Sequence, residues 1–213
     1  RPIGFFPTIV RIWMRARIWA ARQWERIHDH DALYAGPDMG AQRTSWQEAF
    51  AAEAANLGGN DHAQALLDLV KACETVPHDV LVEAAMLKGY PAFVLRLSLA
   101  AYRLLRSIGV DGVFSRTIRA TRGVTAGSGF ATSELRVLML DLINALQARW
   151  ANIIVTKVYV DDLTLSVTGL PQKVIRVLAQ AIDFAVHVME DAMRMQVSAK
   201  KSKVVASKLS IAQ

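Results

Sequence analysis

Two aspartates stand side by side at Asp161 and Asp162, inside residues 153–167, which read IIVTKVYVDDLTLSV. The run before them, 153–160, is β-branched and aromatic, with apolar residues on both faces. The run after them alternates, Leu163, Leu165 and Val167 against Thr164, Ser166 and Thr168. That pattern predicts a β-hairpin with the acidic pair at its turn. Adjacent carboxylates held between apolar strands repel each other and lose hydration, and a divalent cation compensates both costs. Mg²⁺ suits such a site because it favours a few carboxylates together with phosphate oxygens. Taken alone, the pair reads equally well as an ordinary acidic turn. A third carboxylate, Asp68, interrupts the apolar run 65–70, which predicts a buried strand. An acid there is costly unless paired or metal-bound, although an aspartate closing a strand could also cap the next turn of chain.

Two further stretches carry chemical side chains or open backbone. Residues 121–129 read TRGVTAGSG and lead into an apolar helix predicted over 131–148. Glycines ahead of a helix let a phosphate or sugar approach backbone N–H groups. The stretch is not a Walker loop, since no Lys-Ser/Thr follows the glycines, nor does it match a dinucleotide fingerprint. The run His28-Asp29-His30-Asp31 has metal-ligand residue types, but it lies in a polar loop with no second Cys or His cluster.

The elements that must position these residues follow from period and punctuation. A helix is expected over 9–27, with Ile12, Trp13, Ile18, Trp19 and Trp24 interleaved among arginines. Such a face can stack bases and contact phosphates, or dock on a core through its tryptophans. A loop over 28–46 contains Gly36-Pro37-Asp38 and Gly40. Ser45 then reads as an N-cap with Glu48 three residues on, opening a helix over 46–56 that Gly58-Gly59-Asn60 ends. Pro77-His78-Asp79 starts a helix over 80–88, and Pro91 opens another to about 107. A strand is expected over 113–119 beside the Asp111-Gly112 turn, and a helix over 172–195. The lysine-rich segment 198–203 closes into a short apolar strand.

Half of the composition is hydrophobic (53%) and a fifth charged (21%), as in globular chains rather than disordered ones. The single Cys73 excludes an internal disulfide and fits a reducing compartment. No apolar run is long enough to span a bilayer. The net charge of +6 is unevenly spread: Arg1, Arg11, Arg15, Arg17, Arg22 and Arg26 open the chain against Glu25. Arg194, Lys200, Lys201, Lys203 and Lys208 close it, whereas residues 29–83 hold ten acids against Arg43 and Lys71. Basic ends around an acidic centre suit a polyanion gripped over a metal site, or a set of solvated helix faces.

In order, these segments resemble the blocks of a reverse transcriptase of the non-LTR (LINE-like) retrotransposon kind. RPIGFFPTIVRIW resembles the fingers block RPI followed by apolar residues. DLVKACETVPHDVL resembles the first palm block, D-x-x-K-A-F-D-x-V-x-H-x-x-L. RGVTAGSGFAT resembles G-V-x-Q-G-S, VYVDDL resembles [YF]-x-D-D, and VSAKKSK resembles the lysine block. The resemblance covers nearly the whole chain, and five short motifs in order form a specific combined signal.

The resemblance implies an α+β right-hand polymerase, with a small antiparallel sheet carrying the Asp hairpin packed against helices. Residues 1–60 would form a fingers-like basic helical segment and 61–213 a palm-like catalytic segment, with the thumb absent. Asp68, Asp161 and Asp162 would hold two Mg²⁺ ions, with Mn²⁺ as an alternative, and Lys201 would protonate pyrophosphate. Arg1 would contact the triphosphate, and Cys73, Gly127 and Ser128 would line the nucleotide and template site. The implied partners are an RNA template, a DNA primer, dNTPs and flanking domains of a larger polyprotein. The implied location is intracellular, with the nucleus following from the element type. Three positions depart from the pattern: Cys73 stands where Phe or Tyr is usual, Ala126 replaces Gln, and Glu74 replaces Asp. The first implies weaker exclusion of ribonucleotides. The alternatives are a catalytically decayed RNA-binding relic of such a domain and an RNA-templated RNA polymerase.

Overall fold

The computed structural model describes residues 4–35 and 39–212. Arg1 and the Gly36-Pro37-Asp38 signal lie outside them. The chain order is α1 (Thr8–Ile27), α2 (Ala41–Leu57), β1 (Asp61–Leu67), α3 (Ala72–Thr75), α4 (His78–Leu87) and α5 (Ala92–Tyr102). Next come β2 (Gly109–Val110), β3 (Val113–Phe114), α6 (Ala131–Arg149), β4 (Ile154–Tyr159) and β5 (Asp162–Gly169). After α7 (Pro171–His187) come a π-helical turn (Val188–Ala192), β6 (Lys203–Ala206) and α8 (Leu209–Ala212). The chain divides into two compact units that both draw on residues either side of position 60. One comprises Arg1–His28 and Lys71–Leu138, the other Asp29–Val70 and Met139–Gln213.

The second unit holds a four-stranded antiparallel sheet in the order β4-β5-β1-β6. Register sorts its side chains into two faces. Ala63, Ala65 and Leu67 pair with Val167, Leu165 and Leu163, which pair with Ile154, Thr156 and Val158; all are buried. This is the face on which α7 packs, with Val174, Leu178 and Ala181 buried along the helix. The opposite face carries His62, Gln64, Leu66, Ser166, Thr164, Asp162, Lys157 and Tyr159. The outer edge of β4 is covered at Val158, whose N–H donates to the Ala32 carbonyl and whose carbonyl accepts from Tyr34 N–H. Covering an edge in this way removes a template for aggregation.

On the polar face α2 brings the buried Glu48 over three strands. Lys157 Nζ of β4 lies 2.6 Å from Glu48 Oε1, and Ser166 of β5 donates to the same oxygen at 3.3 Å. His62 Nε2 of β1 sits 3.6 Å from Oε2, an ion-pair distance rather than a hydrogen bond. Burial pushes the Glu48 carboxyl up, but His62, Lys157 and Ser166 together outweigh it and hold the group below the usual range.

In the first unit α1 buries Met14, Ala20, Ala21 and Trp24. The Trp24 indole N–H donates to the Lys88 carbonyl at 2.8 Å, and its ring meets Tyr90 edge-on at 5.2 Å. Trp13 packs against Phe130, while Ile12 and Trp19 stay exposed, so the helix docks through part of its aromatic set and displays the rest.

Several boundaries differ from the sequence expectation. Helix α2 begins at Ala41 rather than Trp46, so Ser45 is an interior residue donating to the Ala41 carbonyl, not an N-cap. Helix α5 stops at Tyr102, short of 107. The strand expected over 113–119 is a two-residue ladder, β2 with β3, across Asp111 and Gly112, both at positive φ. That is the backbone a tight hairpin demands, and it leaves little length to pair. The helix expected over 172–195 is α7, which loosens into the π turn before Met193.

Candidate active site

The first candidate group lies at one end of the sheet in the second unit. Strand β1 ends at Leu67, paired with Leu163; the register carried one residue further sets Asp68 across from Asp162, on the polar face. The pairing of Tyr159 with Asp162 makes Val160 and Asp161 a two-residue hairpin loop, so Asp161 sits in the turn while Asp162 opens β5. Asp161 is buried and Asp162 exposed. Val160 adopts φ 62°, where the two-residue hairpin turn normally takes glycine. A β-branched side chain at positive φ is a genuine outlier, and such strain concentrates at functional sites.

The lysine block wraps Asp68. Ser198 N–H donates to the Asp68 carbonyl at 2.7 Å, and Asp68 N–H donates to Ser202 Oγ at 3.1 Å. Between these contacts a turn, closed by Lys201 and Ser202 N–H on the Ser198 carbonyl, aims Lys201 Nζ at Asp68 Oδ1, 3.3 Å away. The structure therefore gathers Asp68, Asp161, Asp162 and Lys201, from separate segments of the chain, at one end of the sheet.

Among the described residues no three or more His, Cys, Asp or Glu side chains close into a metal cage. The donor chemistry nevertheless fits Mg²⁺, which takes one or two carboxylates and fills its octahedron with waters and substrate phosphates. Asp68 and Asp161, with Asp162 beside them, are the residues that could hold it. The His28–Asp31 run is occupied otherwise. His28 stacks on the Trp24 ring, and its Nδ1–H donates to the Trp24 carbonyl at 3.0 Å. His30 Nε2–H donates to Gln147 Oε1 at 3.0 Å.

The second group lies in the first unit, around the glycine-rich turn. Gly123 N–H donates to the Val76 carbonyl and Val124 N–H to the Cys73 carbonyl, each at 2.7 Å. A Cβ on Gly123, at φ 94°, would meet the Glu74 carbonyl oxygen at 2.7 Å, so glycine is required. The buried His78 imidazole fixes the same point: Nε2–H donates to the Gly123 carbonyl at 2.8 Å, and Nδ1 accepts from Arg103. Cys73, buried, is thereby held against the turn that displays Gly127 and Ser128. Arg1, the remaining predicted residue, lies outside the described residues.

Sequence reasoning missed two buried polar clusters. One is Glu48, Lys157 and His62. The other is Glu134 of α6, fully buried, which accepts from the Ser98 and Tyr102 hydroxyls. Burial raises the Glu134 carboxyl to about 7, against the pull of those two donors. The signal lay in single charges within apolar runs, Lys157 in IIVTKVYV and Glu134 ahead of LRVLML.

Comparison with known proteins bears on the fold. No protein-family model and no curated protein matches the chain. Among solved structures it is similar to telomerase from Candida albicans in complex with a TWJ fragment of telomeric RNA. The TM-score is 0.66 at 11% identity over 95% of this chain and 38% of that one. It is also similar to apo telomerase from Candida tropicalis, at TM-score 0.61 and 9% identity, over 94% of this chain and 37% of that one. The chain thus spans under two fifths of the length of these two structures. At such identity the likeness speaks for the fold alone: α+β, an antiparallel sheet packed against helices, as in these telomerase structures.

Proposed function

We propose that this chain is the reverse transcriptase domain of a non-LTR retroelement, an RNA-directed DNA polymerase that joins dNTPs to a DNA primer along an RNA template. The observation that carries the reading is the sheet end, where the register sets Asp68 across from Asp162, Asp161 sits in the adjoining turn and Lys201 reaches Asp68, on a fold similar to that of telomerase. Two of the similar telomerase structures are complexes with an RNA fragment, which favours RNA as the template here.

In this reading Asp68 and Asp161 present carboxylates to two Mg²⁺ ions, with Mn²⁺ as a substitute and Asp162 as an accessory acid. Bound there, the ions would activate the primer 3′-hydroxyl and neutralise charge on the leaving pyrophosphate. Positioning and charge neutralisation supply most of the catalysis in phosphoryl transfer. Lys201, protonated beside Asp68, donates its proton to the departing pyrophosphate. Arg1 contacts the triphosphate, Gly127 and Ser128 line the nucleotide and template site, and Cys73 lies against the ribose. The flanking parts of a larger polyprotein and a nuclear site of action belong to the same proposal.

Primer extension on an RNA template with Mg²⁺ and dNTPs tests it, with Asp161→Asn as the control. Extension by the parent that falls at least about a thousandfold in the variant is expected, since the variant loses a metal-binding charge. Folded, RNA-binding protein that never extends a primer would instead identify a relic. Preference for rNTPs over dNTPs would identify an RNA-templated RNA polymerase, which the small Cys73 permits.

A further inference from the structure

Glu134 is a fully buried carboxyl in the first turn of α6, and nothing in the proposed chemistry uses it. Its oxygens meet two hydroxyls of α5: Ser98 at Oε1 and Tyr102 at Oε2, the latter at 2.6 Å. The Tyr102 hydroxyl, on a side chain 1% exposed, also lies 2.8 Å from Ser128 Oγ. Ser128 Oγ in turn accepts from Phe130 N–H at 3.2 Å. A continuous hydrogen-bonded chain therefore runs from a buried acid to the half-buried serine of the glycine turn, between the exposed Gly127 and Gly129.

Each hydroxyl has one proton, so the chain has a direction. An ionised Glu134 accepts only. Tyr102 must then donate to it, and Ser128 must donate to Tyr102, which leaves Ser128 with nothing but a lone pair for a ligand. A neutral Glu134 can donate to Tyr102. Tyr102 then donates to Ser128 Oγ, and the serine proton is released toward a ligand or toward Met14 Sδ, 4.0 Å away. The neutral acid has a second arrangement, donating to Ser98 while Ser98 donates to the Leu95 carbonyl at 3.1 Å. Ionisation therefore removes the outward donor completely, whereas protonation restores it in part.

We propose that Glu134, acting through Tyr102, is a positioning residue that switches Ser128 between hydrogen-bond donor and acceptor. The switch tunes the glycine turn for the phosphate oxygens of a nucleotide or a template strand. The ligand half of this inference rests on the reading of Ser128 given under the proposed function; the chain itself rests on geometry alone. The titratable groups facing Glu134 are Tyr102 and Tyr90, both raised above the usual phenol range by burial first and then by the Glu134 charge. Beyond Tyr90 stands Glu25 of α1, bonded to Ser133, and Arg136 donates to the Glu25 carbonyl. Burial places the Glu134 titration near neutrality, where the switch can operate.

The decisive measurement is an infrared titration of the protonated-carboxyl C=O band, assigned by its loss in Glu134→Gln. When Ser128 donates to Tyr102 it polarises Tyr102 toward the carboxylate and favours ionisation. Ser128→Ala should therefore raise the midpoint of the band by about half a pH unit. A midpoint that stays put, or no titrating band in the parent, overturns the proposal. A second arm measures binding of dATP and of a short single-stranded RNA across that midpoint. In the parent, whichever ligand touches Ser128 should weaken by up to about tenfold as pH rises. Glu134→Gln, whose amide can donate permanently to Tyr102, should lose that part of the slope and leave only the ligand's own titration. A variant whose slope equals the parent's overturns the proposal. If neither ligand binds the parent at any pH while the midpoint still shifts, the switch stands and the polymerase reading falls.

Discussion

An ammonium 3.3 Å from a carboxylate oxygen can serve structure or chemistry, and exposure separates the two at Lys201. The lysine side chain is 60% exposed and Asp68 23%, so solvent screens the pair and its worth to folding is small. Lys201→Met should leave the melting temperature nearly unchanged while slowing nucleotide addition by about a hundredfold or more, the range for removing a general acid. A variant that melts early and extends primers normally would make the lysine a structural tether. Glu134 is the opposite case, a group whose environment acts on stability. Its carboxyl titrates near 7 in the folded chain against an ordinary 4.5, so the folded state binds the extra proton between those values. The stabilising contribution is complete below the ordinary value and is lost as pH rises through about 7. Thermal denaturation should show stability falling over that window by on the order of 3 kcal/mol. Glu134→Gln should flatten the curve, and an unchanged curve would mean that Glu134 is ionised throughout. The three aspartates stood out in the sequence because an acid inside an apolar run is a costly and therefore visible anomaly, whereas Lys201 was singled out only by the resemblance of its segment to the lysine block. Glu134 was equally anomalous, but its hydroxyl partners lie 36 and 32 residues away, and only tertiary packing reveals them.

At the scale of elements, the Asp hairpin is built under tension. Val160 occupies the left-handed region with a branched side chain, while β4 and β5 pair on both sides of it and hold the turn in place. Val160→Gly should relieve that strain and stabilise the chain by up to about 1 kcal/mol, after glycine's greater chain entropy is deducted. The same change should loosen the aim of Asp161 and lower nucleotide addition, so stability and activity would move in opposite directions. A glycine variant that is both less stable and fully active would mean that the turn stores no functional strain. The hairpin, α1 and α6 were legible because their periods are long and their ends are punctuated. Helix α2 was not, since its N-cap is Gly40, which has no capping side chain, and Ser45 with Glu48 imitates a capping box. Glu48 is in truth an inward-facing residue, drawn across the sheet by Lys157 and His62. The short β2–β3 ladder lost to its turn, because a branched stretch with one paired neighbour cannot extend far.

At the scale of the molecule the uneven charge becomes a testable surface within the first unit. Helix α1 carries Arg11, Arg15 and Arg22 along one groove, with Thr8, Ile12, Met14 and Ile18 as its remaining helical lining and Gly127 and Gly129 at its rim. Among the described residues no acid lines that groove; Glu25, the single acid of α1, instead bonds Ser133. Cations over an apolar floor hold a polyanion by releasing its counterions, a contribution that disappears as salt is added. Binding of single-stranded RNA should therefore weaken log-linearly with salt. Each arginine that meets a phosphate contributes roughly 0.7 to the slope. Replacing Arg15 and Arg22 together by alanine should reduce the steepness by roughly 1 to 1.5, with the melting temperature preserved because both are exposed. An undiminished slope would assign the salt-sensitive contacts to the lysine-rich tail of the other unit, where Lys200, Lys203 and Lys208 offer the rival basic surface. The double alanine variant thus decides which of the two basic segments would carry the proposed RNA contacts.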